Sequence, residues 1–286
     1  MRAPTHSVAC VSWRQHGFAE GERIVPEETA VALTYDGGSY AVMMATPQNL
    51  EDFALGFSLT EGIIASAADI RDLTIVEEDA GIEVRMWLNT PRSAALSERR
   101  RYIAGPTGCG LCGIDSLSEA TRQAPRVRED GTFAPADIMR ALEALGPRQE
   151  LNRQTRAVHA AAFWRPGSGL AAVREDVGRH NALDKLAGAL SRDNIAGNSG
   201  FVLLTSRVSV EMVQKTAVIG APLLVAVSAP TALALRTAEA AGITVVGVAR
   251  SDGFEIFTHP RRIAAASATS ANATSANATS TVAHVA

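Results

Sequence analysis

The sequence predicts an α/β protein whose main sheet is preceded by a smaller α+β region. Three observations carry this. Apolar runs at 201–205 (FVLLT), 223–228 (LLVAVS) and 243–249 (ITVVGVA) are near-continuous, as expected of strands buried on both faces. Segments with helical spacing separate them, at 178–190, 209–219 and 230–241. Short connections join each run to the next, giving repeated β-α-β and a mostly parallel sheet covered by helices.

The elements follow in chain order. Residues 1–28 carry little pattern, and Cys10, among Val and Ser, reads as a strand or packing residue rather than a ligand. In 29–44 (TAVALTYDGGSYAVMM) two apolar strands flank Asp36-Gly37-Gly38, residues that accept positive φ, which predicts a hairpin. A helix follows. Asn49 can cap it, Glu51 and Asp52 suit its first turn, and Phe53, Phe57 and Ile64 keep one apolar face. Two more strands are expected at 72–76 and 82–88, and the end of a helix at 94–103. The stretch 104–154 reads as a connector with a mobile loop and a polar helix at 134–145. Strands at 157–163 and 169–173 open the α/β domain, 155–263. Within it Leu183, Leu186, Ala187 and Leu190 repeat at helical spacing, Ser209 can cap the next helix, and Glu211 faces Lys215 at i,i+4. Pro230 and Gly242 bound the last helix. Beyond 263 the repeat SANATSANATS has no core-forming residues, so 264–286 is expected to be a disordered tail.

Composition narrows the function. With 47% hydrophobic residues in a chain of 286, a sizeable core is available. A net charge of −3 argues against a nucleic-acid binder. No apolar run approaches the ~20 residues of a membrane span. The N-terminal MRAPTHSVACVSW lacks a signal-peptide core. Three cysteines make no disulfide framework. These features predict a cytoplasmic protein with reduced thiols and no membrane partner.

The chemistry points to GPTGCGLCG, 105–113, which holds Cys109 and Cys112. A structural zinc site wants four ligands, and one C-x-x-C supplies two, so zinc needs a dimer that pools two pairs. A thioredoxin-type pair opens a helix directly after a strand. Here the pair follows an Arg-rich helix (Arg99, Arg100, Arg101) and AGPTG, ahead of the α/β domain. A persulfide carrier needs an accessible thiolate more than a rigid cradle, and a glycine-rich loop gives that access. Gly108 and Gly110 flank Cys109, so its sulfur is the less hindered one.

Five motifs occur in order: TPQNLEDFALGFSLTEGII, TGCGLCG, REDVGRHNALDKLAG, SRVSVEMVQKTAVIGAPLLVAVSAPT and VVGVARSDGFEIFTHPRRI. Together, over roughly 25–263, the chain resembles the FdhD family, the sulfur-carrier proteins needed for active formate dehydrogenase. The resemblance implies a cytidine-deaminase-like C-terminal domain without that fold's zinc chemistry, and a cytoplasmic homodimer. It implies a sulfurtransferase served by a cysteine desulfurase. The acceptor would be the Mo- or W-bis(molybdopterin guanine dinucleotide) cofactor, for which GDP is a mimic, bound for the apo formate dehydrogenase. No resident metal is implied. Carried over by position, Cys109 looks like the persulfide-bearing residue and Cys112 its partner.

By the same resemblance, Val248, Ala249, Arg250, Ser251, Asp252 and Gly253 look like the cofactor-binding stretch. Arg250 could meet a phosphate, Asp252 could accept from guanine N–H groups, and Gly253 admits close backbone approach. Arg179 and His180, at the start of a helix, could contact phosphates. The duller reading makes them a charge network, with Asp184 reaching back to His180. Arg207, after a buried strand, leans to the ligand. Lys215, with Glu211 at hand, leans to structure. The family usually carries Phe at the position of Val248, and Thr-Gly-Gly where this chain has Thr155-Arg156-Ala157. Two rival functions stay open: a cofactor-binding chaperone that moves no sulfur, and a zinc-bridged structural dimer.

Overall fold

The computed structural model describes residues 2–94, 123–128 and 131–264. The predicted helix end at 95–103, Cys109, Cys112 and the tail from 265 lie outside them. The described chain forms three sheets. A two-stranded antiparallel ribbon comes first, β1 (Thr5–Arg14) and β2 (Gly17–Pro26). A four-stranded sheet follows, in the order β4-β3-β6-β5, from β3 (Thr29–Tyr35), β4 (Gly38–Ala45), β5 (Ile70–Glu78) and β6 (Gly81–Leu88). The hairpin predicted at 29–44 is β3–β4. Its turn puts Asp36 and Gly37 at φ 53° and 78°, the left-handed pair that matches strand twist. Helix α1 (Leu50–Thr60) covers one face, with Phe53 and Phe57 buried against Val31, Leu33, Val84 and Met86. Asn49 is its N-cap, but by left-handed backbone (φ 53°) and without a side-chain bond.

Helices α2 (Pro135–Arg148) and α3 (Glu150–Thr155) lead into a six-stranded sheet. Its strands are β7 (His159–Arg165), β8 (Gly169–Asp176), β9 (Phe201–Leu204), β10 (Leu223–Ala226), β11 (Thr244–Arg250) and β12 (Gly253–Ile256). The order is β12-β11-β10-β9-β7-β8. Helices α4 (Arg179–Arg192), α5 (Val210–Ile219) and α6 (Ala232–Ala241) connect them. The expectation of a mostly parallel sheet is corrected here: only β9-β10-β11 are parallel, and the sheet is mixed. The reason is connection length. Parallel pairing needs a crossover of a dozen or so residues. Helices α5 and α6 supply one between β9, β10 and β11, but only 166–168 join β7 to β8 and only 251–252 join β11 to β12.

The near-continuous apolar runs are buried on both faces, as their pattern requires. Phe163, Leu204, Leu224 and Val245 face α4, α5 and α6. Ala162, Leu203, Val225 and Val246 face Ile138, Ala141 and Leu145 of α2. The two larger sheets are joined where α1 crosses α4. A Cβ at Gly56 would strike the carbonyl of Asp184, and one at Gly188 the carbonyl of Asp52, so the two backbones touch. Asp52 also takes Arg174 (2.7 Å) and Arg192 (3.0 Å).

Candidate functional site

The site is the end of the six-stranded sheet where β9, β10 and β11 finish. Strand β8 ends there too, since β8 and β9 both run antiparallel to β7. Loops 205–209, 227–231 and 251–252 and the start of α4 make up the rim. They are tied together by backbone: Thr231 N–H donates to Val208 O (3.0 Å) and Val248 N–H to Ser228 O (3.2 Å). The Thr205 hydroxyl accepts from Ala160 N–H (2.9 Å), pinning the start of β7 to the end of β9.

Asp176, the last residue of β8, is fully buried and organises one side of the rim. Its carboxylate accepts from Gly178 N–H (2.8 Å), Asn181 Nδ2 (3.0 Å), Lys185 Nζ (2.6 Å) and Thr46 N–H (3.0 Å). These bonds hold the first turn of α4 in place and tether it to the end of β4. Arg179 and His180 then stand on that turn. Arg179 Nε and His180 Nε2 are both buried and have no hydrogen-bond partner. Buried polar atoms are rarely left so, because each costs about 1–3 kcal/mol. Burial pushes the His180 imidazole down to a pKa of about 4, and the cations of Arg179 and Lys215 push the same way. It therefore sits neutral at pH 7. His159 is also held below its usual value, first by burial and then by Arg179. The carboxylate of Glu211, on α5, acts on both Arg179 and His180. His159 and Glu211 were not singled out from sequence as part of this group. Their legible signal is position: His159 opens β7, and Glu211 lies in the first turn of the helix that follows β9.

Val248–Gly253 is the other side of the rim. It is a hairpin rather than a loop beyond the last strand. Val248, Ala249 and Arg250 close β11, and Gly253 opens β12, with the register shifting between Gly247 and Arg250. Val248 has φ 51°. A β-branched residue in that region is a genuine outlier, and such strain clusters at ligand-binding segments. Arg250, Ser251 and Asp252 are exposed, Ala249 is buried, and Gly253 has φ 149° with open space where a Cβ would be. Arg207 is exposed on the β9 loop, between the two sides. The structure brings all these residues to one end of the sheet but not into one pocket. Three strands stand between β11 and β8, and at ~4.8 Å per strand the two sides are roughly 15–20 Å apart. That span suits an extended ligand with charged groups at separate points.

Lys215 is structural, but not through Glu211. It donates to Asp184 (2.8 and 3.0 Å), to the Thr60 hydroxyl (2.9 Å) and to Glu61 (3.2 Å). Asp184 in turn takes the Thr60 hydroxyl at 2.6 Å, so it does not reach back to His180. The physical reason is α1: it crosses α4 and α5 here and supplies Thr60 and Glu61, which helical spacing along α5 cannot reveal. Among the described residues no His, Cys, Asp and Glu cluster could hold a metal ion. No helix among them is long and apolar enough to cross a membrane.

Fold and rim together define a mixed α/β protein with a polar, partly strained ligand-type edge at the ends of its parallel strands. Residues 26–264 match the model of the FdhD/NarQ family, and the chain belongs to that family. It is 52% identical over 264 residues to the sulfur carrier protein FdhD of Agrobacterium fabrum, covering 92% of this chain and 97% of the relative. The sulfur carrier protein FdhD of Cupriavidus necator is 51% identical over 261 residues, 91% of each chain. A crystal structure from Desulfotalea psychrophila, of a protein put forward as a formate dehydrogenase accessory protein, superposes with TM-score 0.72. It is 27% identical and covers 91% of this chain and 100% of that one.

Proposed function

We propose that this chain is a sulfurtransferase that serves formate dehydrogenase maturation. A cysteine desulfurase presents a persulfide. The Cys109 thiolate attacks its terminal sulfur, the desulfurase thiolate leaves, and Cys109 carries the new S–S bond. Once the acceptor is bound, attack by the Cys112 thiolate on the Cys109 sulfur forms the Cys109–Cys112 disulfide and releases hydrosulfide to that acceptor, and a dithiol reductant returns the pair to thiols. That acceptor is the molybdenum or tungsten bis(molybdopterin guanine dinucleotide) cofactor, held as cargo along the rim. Arg179 and His180 meet phosphate oxygens at one side, Val248–Gly253 meets a guanine end at the other, and Arg207 lies between. The protein works as a cytoplasmic homodimer, and its six-stranded sheet with helices on both faces is the cytidine-deaminase-like domain.

One observation carries the ligand half of this reading. Two buried polar atoms without hydrogen-bond partners, Arg179 Nε and His180 Nε2, lie on the same edge as a left-handed Val248. Both are costs that a bound ligand offsets. The sulfur half is supported by the Gly-flanked cysteine pair and by the name of the relatives.

The test is intact mass after incubation with a cysteine desulfurase and cysteine. Wild type and Cys112→Ala gain one sulfur atom and Cys109→Ala gains none, while all three bind GDP alike. Sulfur uptake by Cys109→Ala would sink the relay and leave a cofactor chaperone.

A further inference from the structure

The β1–β2 ribbon is the part of the molecule that the function above leaves unused. None of residues 5–26 belongs to a buried core cluster. The register pairs Trp13 with Phe18 and Val11 with Glu20, and Ser7 with Ile24. Side chains alternate across a strand, so Val11, Trp13, Phe18, Glu20, Glu22 and Ile24 share one face. The Ser7–Glu22 hydrogen bond (3.1 Å) lies on that face too. Trp13 is 68% exposed, Phe18 79%, Val11 65% and Ile24 42%. Contiguous exposed aromatics of this kind mark an interaction surface. An isolated two-stranded hairpin is also marginal on its own.

Three features choose the occupant. The first is place. Arg23 on β2 donates to the carbonyl of Thr155 (3.2 Å), at the end of α3. Helix α3 is capped by Glu175, whose carboxylate accepts from Leu151 and Asn152 N–H (2.8 and 2.9 Å), one residue before Asp176. The ribbon is therefore rooted at the rim. The second feature is area. Four side chains with these exposures offer on the order of 500 Å². That is short of the ~800 Å² per partner of a stable interface, and it fits a transient contact. The third is charge: Glu20 and Glu22 flank the apolar tip.

We infer that the Trp13–Phe18 face of the ribbon is the docking element for the protein that receives the cofactor, and that it enters an apolar cleft bordered by cations. The occupant is the cofactor-free formate dehydrogenase, because the ribbon is rooted beside the rim along which the cofactor is proposed to lie. The inference rests on the function proposed above only for the identity of that client.

The experiment uses the full-length protein with Trp13→Ser and Phe18→Ser, both at exposed positions. Immobilised cofactor-free formate dehydrogenase is titrated with each form, and molar mass is read by light scattering. The double variant is expected to bind at least tenfold more weakly, with its mass, GDP affinity and sulfur uptake unchanged. Glu20→Lys with Glu22→Lys is expected to weaken binding at low salt and to flatten its salt dependence. Equal binding by the aromatic variant, or no binding by wild type, overturns the inference. A drop in molar mass overturns it as well, since the occupant is then a second copy of this chain. Failure of wild type to take up sulfur would strike the proposed function and leave the docking result standing.

Discussion

Lys185 donates to Asp176 at 2.6 Å with both side chains fully buried, and its second bond is to the carbonyl of Thr46 (2.9 Å). One ion pair thus joins α4, the end of β8 and the end of β4. Removing one partner strands the other charge in the interior, which costs about 3–5 kcal/mol. Lys185→Met should show a loss of that size by denaturant titration. Asp176→Asn should lose as much. Lys185→Met with Asp176→Leu should lose less than the sum of the single changes, since no lone charge remains. An additive double variant would show that the pair is not coupled.

The crossing of α1 over α4 admits no side chain at two points. A Cβ at Gly56 or Gly188 would meet a carbonyl of the facing helix well inside contact distance. Ala is the better helix former, by about 0.8–1 kcal/mol relative to Gly. Gly56→Ala and Gly188→Ala should nevertheless destabilise, by about 1–3 kcal/mol each, as overpacked positions do. Gly146, on α2, has open space at its Cβ position and is the control. Gly146→Ala should be neutral or stabilising in the same thermal melts.

His180 makes stability depend on pH. Its pKa is near 4 in the folded chain, chiefly through burial, against about 6.5 unfolded. The unfolded state therefore binds the extra proton first. This group's contribution is complete above about pH 6.5 and is lost as pH falls towards 4, at most about 3 kcal/mol. His180→Gln should flatten that part of the stability profile. An unchanged slope between pH 6.5 and 4 in the variant would assign the acid sensitivity to other groups.

Much of this fold is legible in the sequence because burial on two faces leaves a plain mark. The runs 201–205, 223–228 and 243–249 are strands β9, β10 and β11, and Asp36-Gly37 is the turn its chemistry demands. The ribbon was not legible, since neither of its faces is buried and no alternation is selected. Val8, Val11 and Trp13 alternate with nothing consistent, and Glu20, Gly21 and Glu22 interrupt the partner strand. Ion pairs were the least legible. Helical spacing offered Glu211 to Lys215, but a buried cation follows the nearest carboxylates in space, and Asp184 and Glu61 come from other helices. The rim positions after β8 and β9 could be read from strand ends. The left-handed Val248 could not, because nothing in a valine announces positive φ.

That strained valine gives the sharpest test of the rim. A half-buried Val→Gly change ordinarily costs stability, through lost burial and added chain entropy. At φ 51° a Cβ crowds the following carbonyl, at about 1–2 kcal/mol, and glycine removes that cost. Val248→Gly should therefore melt close to wild type, where Val246→Gly, two residues back on the same strand and fully buried, should lose about 2–4 kcal/mol. Ligand affinity separates strain from contact. If Val248 serves by fixing the turn that presents Arg250, Val248→Gly should weaken GDP binding severalfold while stability holds. Arg250→Ala should weaken it by roughly tenfold, the size of one charge-assisted hydrogen bond. Two variants that bind GDP as wild type does would move the nucleotide away from the β11–β12 hairpin and towards Arg179 and His180.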